Sequence, residues 1–480
     1  MKDEIRYLAV LLALLLLPGC KDEPAEKEGP VRIGEAQVWL TRGDKSTLFQ
    51  RQTDLLVMDS LITNHPVVRI DTSATMQEIE GFGAALTGSS AYLLHQELDP
   101  AARTATLRDL FDPAAGIGIS YLRLTMGASD FSLSNYTYND LPAGQTDFEL
   151  QQFSLAQDLD DVVPVIKEII EIAPDIGLMG SPWSPPAWMK TNGSLKGGKL
   201  KPECYEVYAS YFVRYIQAMA GQGIIIDAVT PQNEPLHFTA GYPCMEMQPE
   251  EQGDFIKNHL GPAFQQAGIN TKIIIYDHNW DDTQYPISIL NDAAAAQYIA
   301  GSAFHAYAGD VSAMSTVHNV HPDKGLYFTE ISGGGWAVNF SDNLMWYMDN
   351  ILIGTTRNWS KTALFWNLAL NQANGPQNNG CSDCRGVITI NSNNGMVVKN
   401  EEYYALAHFS KFVRPGAVRV SITIPQLLAN MGIVSFLNPD GSKVLVACNH
   451  SAADRTFSAQ QETRYFTATV PAKSVVTIIW

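Results

Sequence analysis

Gly223-Ile224-Ile225-Ile226-Asp227-Ala228-Val229-Thr230-Pro231-Gln232-Asn233-Glu234-Pro235-Leu236 is the stretch on which the fold turns. The apolar run from Gly223 to Val229, bounded by glycine on one side and by proline on the other, reads as a buried β-strand. A carboxylate at the end of such a strand, gripped between Asn233 and Pro235, does not resemble a solvated surface charge. Glu234 is therefore either a satisfied structural acid or a catalytic one, and the rest of the chain has to decide.

Outward from this stretch the middle of the chain alternates. Candidate strands are Ile79–Ala84, Ser120–Leu124, Ile176–Gly180, Ile225–Thr230, Lys272–Tyr276, Ser302–His305, Gly325–Thr329 and Thr362–Trp366. Helical patterns separate them: one opened by Asp99-Pro100 as N-cap and first helical residue, then Asp160–Ile172, Tyr205–Ala220, Pro249–Gln266, Ser341–Arg357 and Glu401–Phe412, with fainter ones at Ile287–Ala300 and Val311–Val317. Tyr208, Tyr211, Phe212, Tyr215, Ile216 and Met219 keep the spacing of a buried helical face and read as core. Eight strands each followed by a helix is the count of a (β/α)8 TIM barrel. A doubly wound sheet is the alternative, but Gly81-Phe82-Gly83 lacks the third glycine of a dinucleotide loop.

Both ends of the chain are richer in short strands. Ala36–Thr41, Thr53–Val57 and Pro66–Ile70 precede the barrel, and Gly432–Leu437, Ser442–Ala447, Phe466–Val470 and Ser474–Ile479 follow it, separated by turn sequences such as Asn438-Pro439-Asp440-Gly441. The expected architecture is an α/β barrel over residues 76–414. A β-sandwich side domain is built from both termini, residues 31–75 and 415–480.

A barrel should collect polar and aromatic residues where its strands end, because those ends build the active face. They do collect there: Arg123 running on to Asp130, Ser181 to Trp188, Asn233-Glu234, Asp277 to Trp280, His305 and Tyr307, Glu330, and Trp366-Asn367. Two glutamates, Glu234 and Glu330, leave strand ends four and seven, nearly opposite across the mouth. Glycosidic cleavage needs such a pair. One carboxylic acid protonates the leaving oxygen and the other meets the positive charge that develops at the anomeric carbon.

At this point the chain resembles glycoside hydrolase family 30. The resemblance is carried by Gly81-Phe82-Gly83-Ala84-Ala85-Leu86-Thr87, Arg123 with Ser129-Asp130-Phe131-Ser132 and Tyr136-Thr137-Tyr138, and Ser181-Pro182-Trp183 through Met189-Lys190-Thr191-Asn192-Gly193. Gln232-Asn233-Glu234-Pro235, Phe328-Thr329-Glu330 and Trp366-Asn367-Leu368-Ala369-Leu370-Asn371 complete it. The resemblance implies that Glu234 is the general acid/base and Glu330 the nucleophile of a double displacement through a covalent glycosyl-enzyme. It implies that Asn233 bonds the sugar 2-hydroxyl, that Arg123 keeps the nucleophile ionised with Tyr307 orienting it, and that Asp130, Trp183, His305 and Trp366 bind the glycone. No metal and no cofactor is called for. Glu234 is expected to have its pKa raised by the nucleophile's charge. Trp188 is expected to be structural, whereas His278 and Trp280 have only their strand-end position to recommend them.

Within the family, the Trp366 segment is similar to glucose-specific branches, which leaves xylan least favoured. Gly88 and the Ile331-Ser332-Gly333-Gly334-Gly335-Trp336 stretch depart from the glucosylceramidase branch, and the Asn374–Arg385 loop is closer to the microbial β-1,6-glucanase branch. The expected activity is a retaining endo-β-1,6-glucanase acting on β-glucan. The alternative is a glucosylceramidase-like β-glucosidase, and a noncatalytic glycan-binding surface protein is the competitor from another class.

The first residues carry a different message. Lys2 and Arg6 precede the apolar run Tyr7–Leu17, which is too short to span a membrane and ends in Leu17-Pro18-Gly19-Cys20. This resembles a bacterial lipobox: residues 1–19 as signal peptide, lipidation at Cys20 and a tether over residues 20–30, against the alternative of a plain secretory signal with an incidental cysteine. The expected location is the outer membrane, at the cell surface or facing the periplasm, with the lipid as the one membrane attachment. A monomer is expected. The formal charge of −18 argues against nucleic acid as a partner and is compatible with a neutral glycan. Past Cys20 there are five cysteines, an odd number; Cys381 and Cys384 form either a local disulfide or two free thiols.

Overall fold

The computed structural model describes residues 29–480. The signal-peptide reading, Cys20 and most of the tether lie outside the described residues. Among the described residues no helix is long and apolar enough to cross a membrane.

Eight parallel strands close into a barrel in chain order: β1 Gly81–Leu86, β2 Tyr121–Met126, β3 Gly177–Pro182, β4 Ala228–Val229, β5 Lys272–Asn279, β6 Ile299–His305, β7 Gly325–Glu330 and β8 Ser360–Asn367. Nearly all of their residues are buried, as parallel strands covered on both faces require. The strand expected at Ile225–Thr230 is the one that differs. Ile225 is 65% exposed while Ile224 and Ile226 are buried, and regular pairing is confined to Ala228 and Val229. The isoleucine run is an approach segment that buries alternate residues on its way into the barrel.

Tyr121, Met179, Ala228, Ile274, Ala303, Tyr327 and Leu364, one from each of seven strands, form an apolar layer inside the barrel. Period-two alternation then places the next inward layer two residues further on: Arg123, Ser181, Thr230, His305, Thr329 and Trp366. Strand β5 breaks the count. Tyr276 and Asp277 have φ of +72° and +61°, and the register against β6 shifts between Ala303 and Phe304. The bulge packs Tyr276 against Phe304 and Tyr285 and leaves Asp277 to join the inner polar layer.

The helices follow the expected pattern, some with tighter ends, as Val162–Ile172 and Glu401–Ser410, and some running further, as Tyr205–Gly221 and Ser312–Val320. Asp99 caps Pro100–Phe111 by accepting from the amides of Ala101 and Ala102. The helix read over Ile287–Ala300 is shorter: it splits into Gln284–Leu290 and Ala293–Ala296, and Ile299 already belongs to β6.

The second domain interleaves both ends of the chain in one sheet. Arg32–Arg42 pairs antiparallel with Ser474–Ile479, and Val67–Glu78 lies between Val418–Thr423 and Arg455–Gln461. Leu55–Met58 pairs with Arg32–Arg42 and, at its end, with Arg464–Val470, joining the two edges. The helix Glu401–Ser410 forms the seam between barrel and sandwich, where buried His408 bonds Thr41 of one terminus and Thr477 of the other.

Candidate active site

The inner polar layer is built around Arg123, which is fully buried. One guanidinium nitrogen donates to Glu330 Oε2 at 2.5 Å, and the other donates to Asn233 Oδ1 at 2.6 Å, Asp277 Oδ2 at 2.7 Å and Ser181 Oγ at 3.2 Å. Asp277 in turn accepts from the hydroxyls of Ser181, Thr230 and Thr329, each at 2.7 Å, and pairs with His305 Nε2 at 2.9 Å. Burial alone would push the Asp277 carboxyl up; Arg123, His305 and Thr329 reverse this and hold it well below the usual carboxylate range. A buried ion pair of this kind survives because both Asp277 oxygens are met by several donors, although Arg123 Nε is buried without a partner.

Glu234 and Glu330 stand above this platform. After β4 the chain is held by its neighbours rather than by regular pairing: Asn233 donates its amide to Pro182, and Glu234 donates its amide to Asp277, at 2.9 and 3.0 Å. Glu234 has φ of +43°, an unusual conformation for a residue with a side chain, imposed by these contacts. Its Oε1 is 3.0 Å from His305 Nδ1. Glu330 ends β7, and Tyr307 donates to its Oε1 at 3.0 Å while Arg123 holds Oε2. Donor atoms of Glu234, His305 and Glu330 lie within 4.8 Å of one another. That spacing could seat a cation, although the Arg123 guanidinium already presents positive charge to Glu330.

The charges of this cluster are coupled through His305. Burial disfavours its imidazolium, but Glu330, Asp277 and Glu234 outweigh burial and raise its pKa to about 9. The directions at the two glutamates are the reverse of the sequence expectation. At Glu234 burial raises the pKa, yet the hydrogen bond and charge of His305, with His278 and His237 behind it, bring the net shift below the usual value. At Glu330 burial, helped by repulsion from Glu234 and Asp277, prevails over His305 and Arg123 and leaves the carboxyl raised. The raised pKa of His305 favours its imidazolium, which stands one hydrogen bond from Glu234.

A cavity of about 280 Å³ opens above the pair, lined by Asp130, Trp183, Asn233, Glu234, His237, Tyr242, His278, Asn279, Tyr307, Glu330, Trp366 and Cys381. Trp183 and Trp366 stack with ring centroids 5.0 Å apart, and the Arg123 guanidinium lies 5.0 and 5.5 Å from the two rings. Asp130 is unlike the other acids: its Oδ1 is buried without a partner, and burial together with the charges of Glu330 and Glu234 raises its pKa well above the ordinary value.

All nine residues singled out in the barrel are thus brought together. His278 lines the cavity, whereas Trp280 is buried against Phe328 and takes no part. Trp188 is structural, its indole donating to Asn139. Sequence reasoning missed the role of Asp277, whose place at a strand end was visible but whose inward aim depends on the bulge. It also missed His237 and Tyr242, a hydrogen-bonded pair at 3.0 Å on the loop after Glu234. The two cysteines of the β8 loop, Cys381 and Cys384, form a disulfide, and Cys204, Cys244 and Cys448 are buried free thiols.

This geometry can be set beside known proteins. Residues 79–413 match the glycosyl hydrolase family 30 TIM-barrel domain and residues 416–478 match that family's β-sandwich domain. The endo-1,6-β-D-glucanase of Neurospora crassa is 37% identical over 368 residues, covering 73% of this chain and 73% of its own. The lysosomal acid glucosylceramidase of Mus musculus is 32% identical over 435 residues, 84% of this chain and 81% of its own. The solved structure of the endo-β1,6-glucanase BT3312 superposes with a TM-score of 0.86 at 36% identity, covering 93% of this chain and all of that one, 100%. With both domains matched and the paired carboxylates in place at strand ends four and seven, the chain belongs to glycosyl hydrolase family 30 and is an O-glycosyl hydrolase.

Proposed function

We propose that the protein is a retaining endo-β-1,6-glucanase in which Glu330 is the nucleophile and Glu234 the general acid/base. The observation that carries this reading is the spacing of the pair. Facing oxygens within 4.8 Å suit direct attack, for which carboxyls stand about 5–5.5 Å apart, and leave too little room for the water of an inverting site at about 6.5–9.5 Å.

The partners divide the roles. Glu330 has one oxygen held by Arg123 and the other by Tyr307, a fixed carboxylate aimed at one point. Glu234 is engaged at one oxygen, by His305 alone. In the first step a Glu330 oxygen bonds the anomeric carbon as the glycosidic C–O bond breaks. The leaving oxygen takes a proton from Glu234, which His305 can have supplied through their hydrogen bond. In the second step Glu234 takes a proton from water, the hydroxyl bonds the anomeric carbon and the ester to Glu330 is released. Asn233, held by Arg123, faces the 2-hydroxyl; the Trp183–Trp366 stack and Asp130 meet the ring of the glycone.

The β-1,6 linkage is supported by the names of the relatives at 37 and 36% identity; the glucosylceramidase relative at 32% supports the alternative. Incubation with a linear β-1,6-glucan and with a short-chain glucosylceramide separates the two. Short β-1,6-oligosaccharides from the first substrate are expected, and products from the second alone would overturn the linkage. We also propose that Cys20 carries lipid that tethers the enzyme to the outer membrane, supported by its lipobox-like context. Cys20→Ser is then expected to move the protein from the membrane fraction to the soluble one.

A further inference from the structure

We infer that Asn378 and Gly380, on the loop after β8 just ahead of the Cys381–Cys384 disulfide, are positioning residues that fix the Asp130 carboxyl in the glycone pocket; this rests on the reading of Asp130 as a sugar-binding group.

Asp130 occupies a place its own chemistry resists. It is a carboxyl set among buried surroundings, near two other carboxylates, with Oδ1 meeting no donor. Left to local preferences, such a side chain would turn toward water. Its own turn does not hold it: the Ser129–Ser132 bonds there run from the Ser129 amide to the Ser132 hydroxyl and from the Phe131 amide to the Ser129 hydroxyl, and none reaches the carboxylate.

The restraint comes from the other end of the barrel sequence. The Asn378 amide donates to the Asp130 carbonyl at 2.7 Å. The Asn378 side chain donates to the Ser129 carbonyl at 3.1 Å and to Asn135 Oδ1 at 2.6 Å, so one residue grips the turn before, at and after Asp130. Gly380 closes the fourth side. A Cβ there would stand 2.7 Å from the Asp130 carbonyl oxygen and 2.9 Å from its Oδ2, closer than real side chains approach. The loop thus abuts the carboxylate at a position where any side chain would displace it.

The same loop is tied to the nucleophile's segment. Cys381, which follows Gly380, lines the cavity and is bonded to Cys384. Cys384-Arg385 pairs antiparallel with Gly333-Gly334, three and four residues beyond Glu330, and Arg385 is anchored on buried Glu402 at 2.9 Å. One short loop therefore sets the distance between the group that grips the sugar and the segment that carries the attacking carboxylate.

The test is a double-mutant cycle on kcat/KM for a linear β-1,6-glucan, with an aryl β-glucoside in parallel. Asn378→Ala and Gly380→Ala are each combined with Asp130→Ala. In the parent, each loop variant is expected to lower kcat/KM roughly 10- to 100-fold, mostly through KM, as a displaced contact does. In the Asp130→Ala background the further loss is expected to be under about twofold, because the contact being positioned is already gone. Equal losses in both backgrounds would mean a merely structural loop and would overturn the inference, as would an Asp130→Ala variant with parent activity. If one loop variant does not fold, the other carries the cycle. A parent protein inert on both substrates would instead overturn the proposed function, a result distinct from either of these.

Discussion

Two fully buried histidines, one at the barrel mouth and one in the seam between the domains, respond to burial in opposite ways. His305, at the barrel mouth, faces Asp277, Glu234 and Glu330, and its pKa rises to about 9. His408, in the seam, is bonded at 2.8 Å to Thr477 Oγ1 and at 2.8 Å to Thr41 Oγ1, and burial pushes its pKa down to about 3. The seam network fixes the neutral form. Thr477 spends its hydroxyl hydrogen on the His408 carbonyl and so accepts from Nδ1–H; Thr41 accepts the Phe49 amide and donates to Nε2. Desolvation is alike at both sites, so the partners decide. The mouth concentrates charge that chemistry can use, and the surroundings of His408 exclude it.

The largest test of this contrast is at the mouth. Glu330→Gln keeps the shape of the side chain and removes the attacking carboxylate. Turnover is expected to fall by roughly four orders of magnitude or more, with the folded state retained. Steady-state rates with an unfolding curve check it, and residual activity within tenfold of the parent would end the nucleophile assignment. Arg123→Leu comes next. It leaves the buried Asp277 charge and Glu330 without their shared cation, and a destabilisation of about 3–5 kcal/mol is expected in urea unfolding.

The contrast also shows what a sequence can and cannot reveal. Strand ends were legible because doubly covered parallel strands are apolar runs, and a polar residue that closes one stands out: Arg123, Glu330 and Trp366 were found this way. Strand four misled for the same reason, since Ile225 is as apolar as its buried neighbours yet points to solvent. Asp277 required a bulge, which no composition announces. The grip of Asn378 on Ser129 spans 249 positions, and a side-chain bond between loops leaves no periodic trace. His408 is a lone histidine on a helix, and its neutral state depends on two threonines from opposite termini.

A pH series sharpens the comparison further. For His305 the folded pKa is raised: below pH 6.5 the ring is protonated folded or not, and its contribution is complete. Between 6.5 and about 9 the native state keeps a proton that the unfolded chain loses, so stability falls as pH rises through that window. For His408 the folded pKa is depressed. Above 6.5 both states are neutral, and as pH falls toward about 3 the unfolded chain gains a proton the native state refuses, so stability falls with falling pH. Each slope approaches about 1.4 kcal/mol per pH unit. His408→Asn should flatten only the acid flank of the parent's curve, whereas His305→Gln should flatten the alkaline flank and also move the acid one, because Glu234 and Asp277 lose a partner that lowers their pKa. An alkaline change in His408→Asn, or an unaltered alkaline flank in His305→Gln, would mean that the ionisation states have been misassigned.

The smallest effect isolates the seam from the mouth. Thr41→Val preserves shape but deletes the hydroxyl that donates to His408 Nε2 and accepts from the Phe49 amide. Two buried polar groups lose their partner, and a cost of about 1–3 kcal/mol is expected, toward the lower end if water reaches the Phe49 amide. Because no charge is involved, the loss should be nearly constant from pH 7 to 9, where the His305 contribution is changing. Turnover should be unaffected, since Thr41 and His408 bond within the seam and have no bond to the Glu402–Arg385 pair by which the same helix holds the loop after β8. A loss of kcat in this variant, with the fold intact, would show that seam and mouth are coupled and that the division between a charged pole and a neutral one is not a division of function.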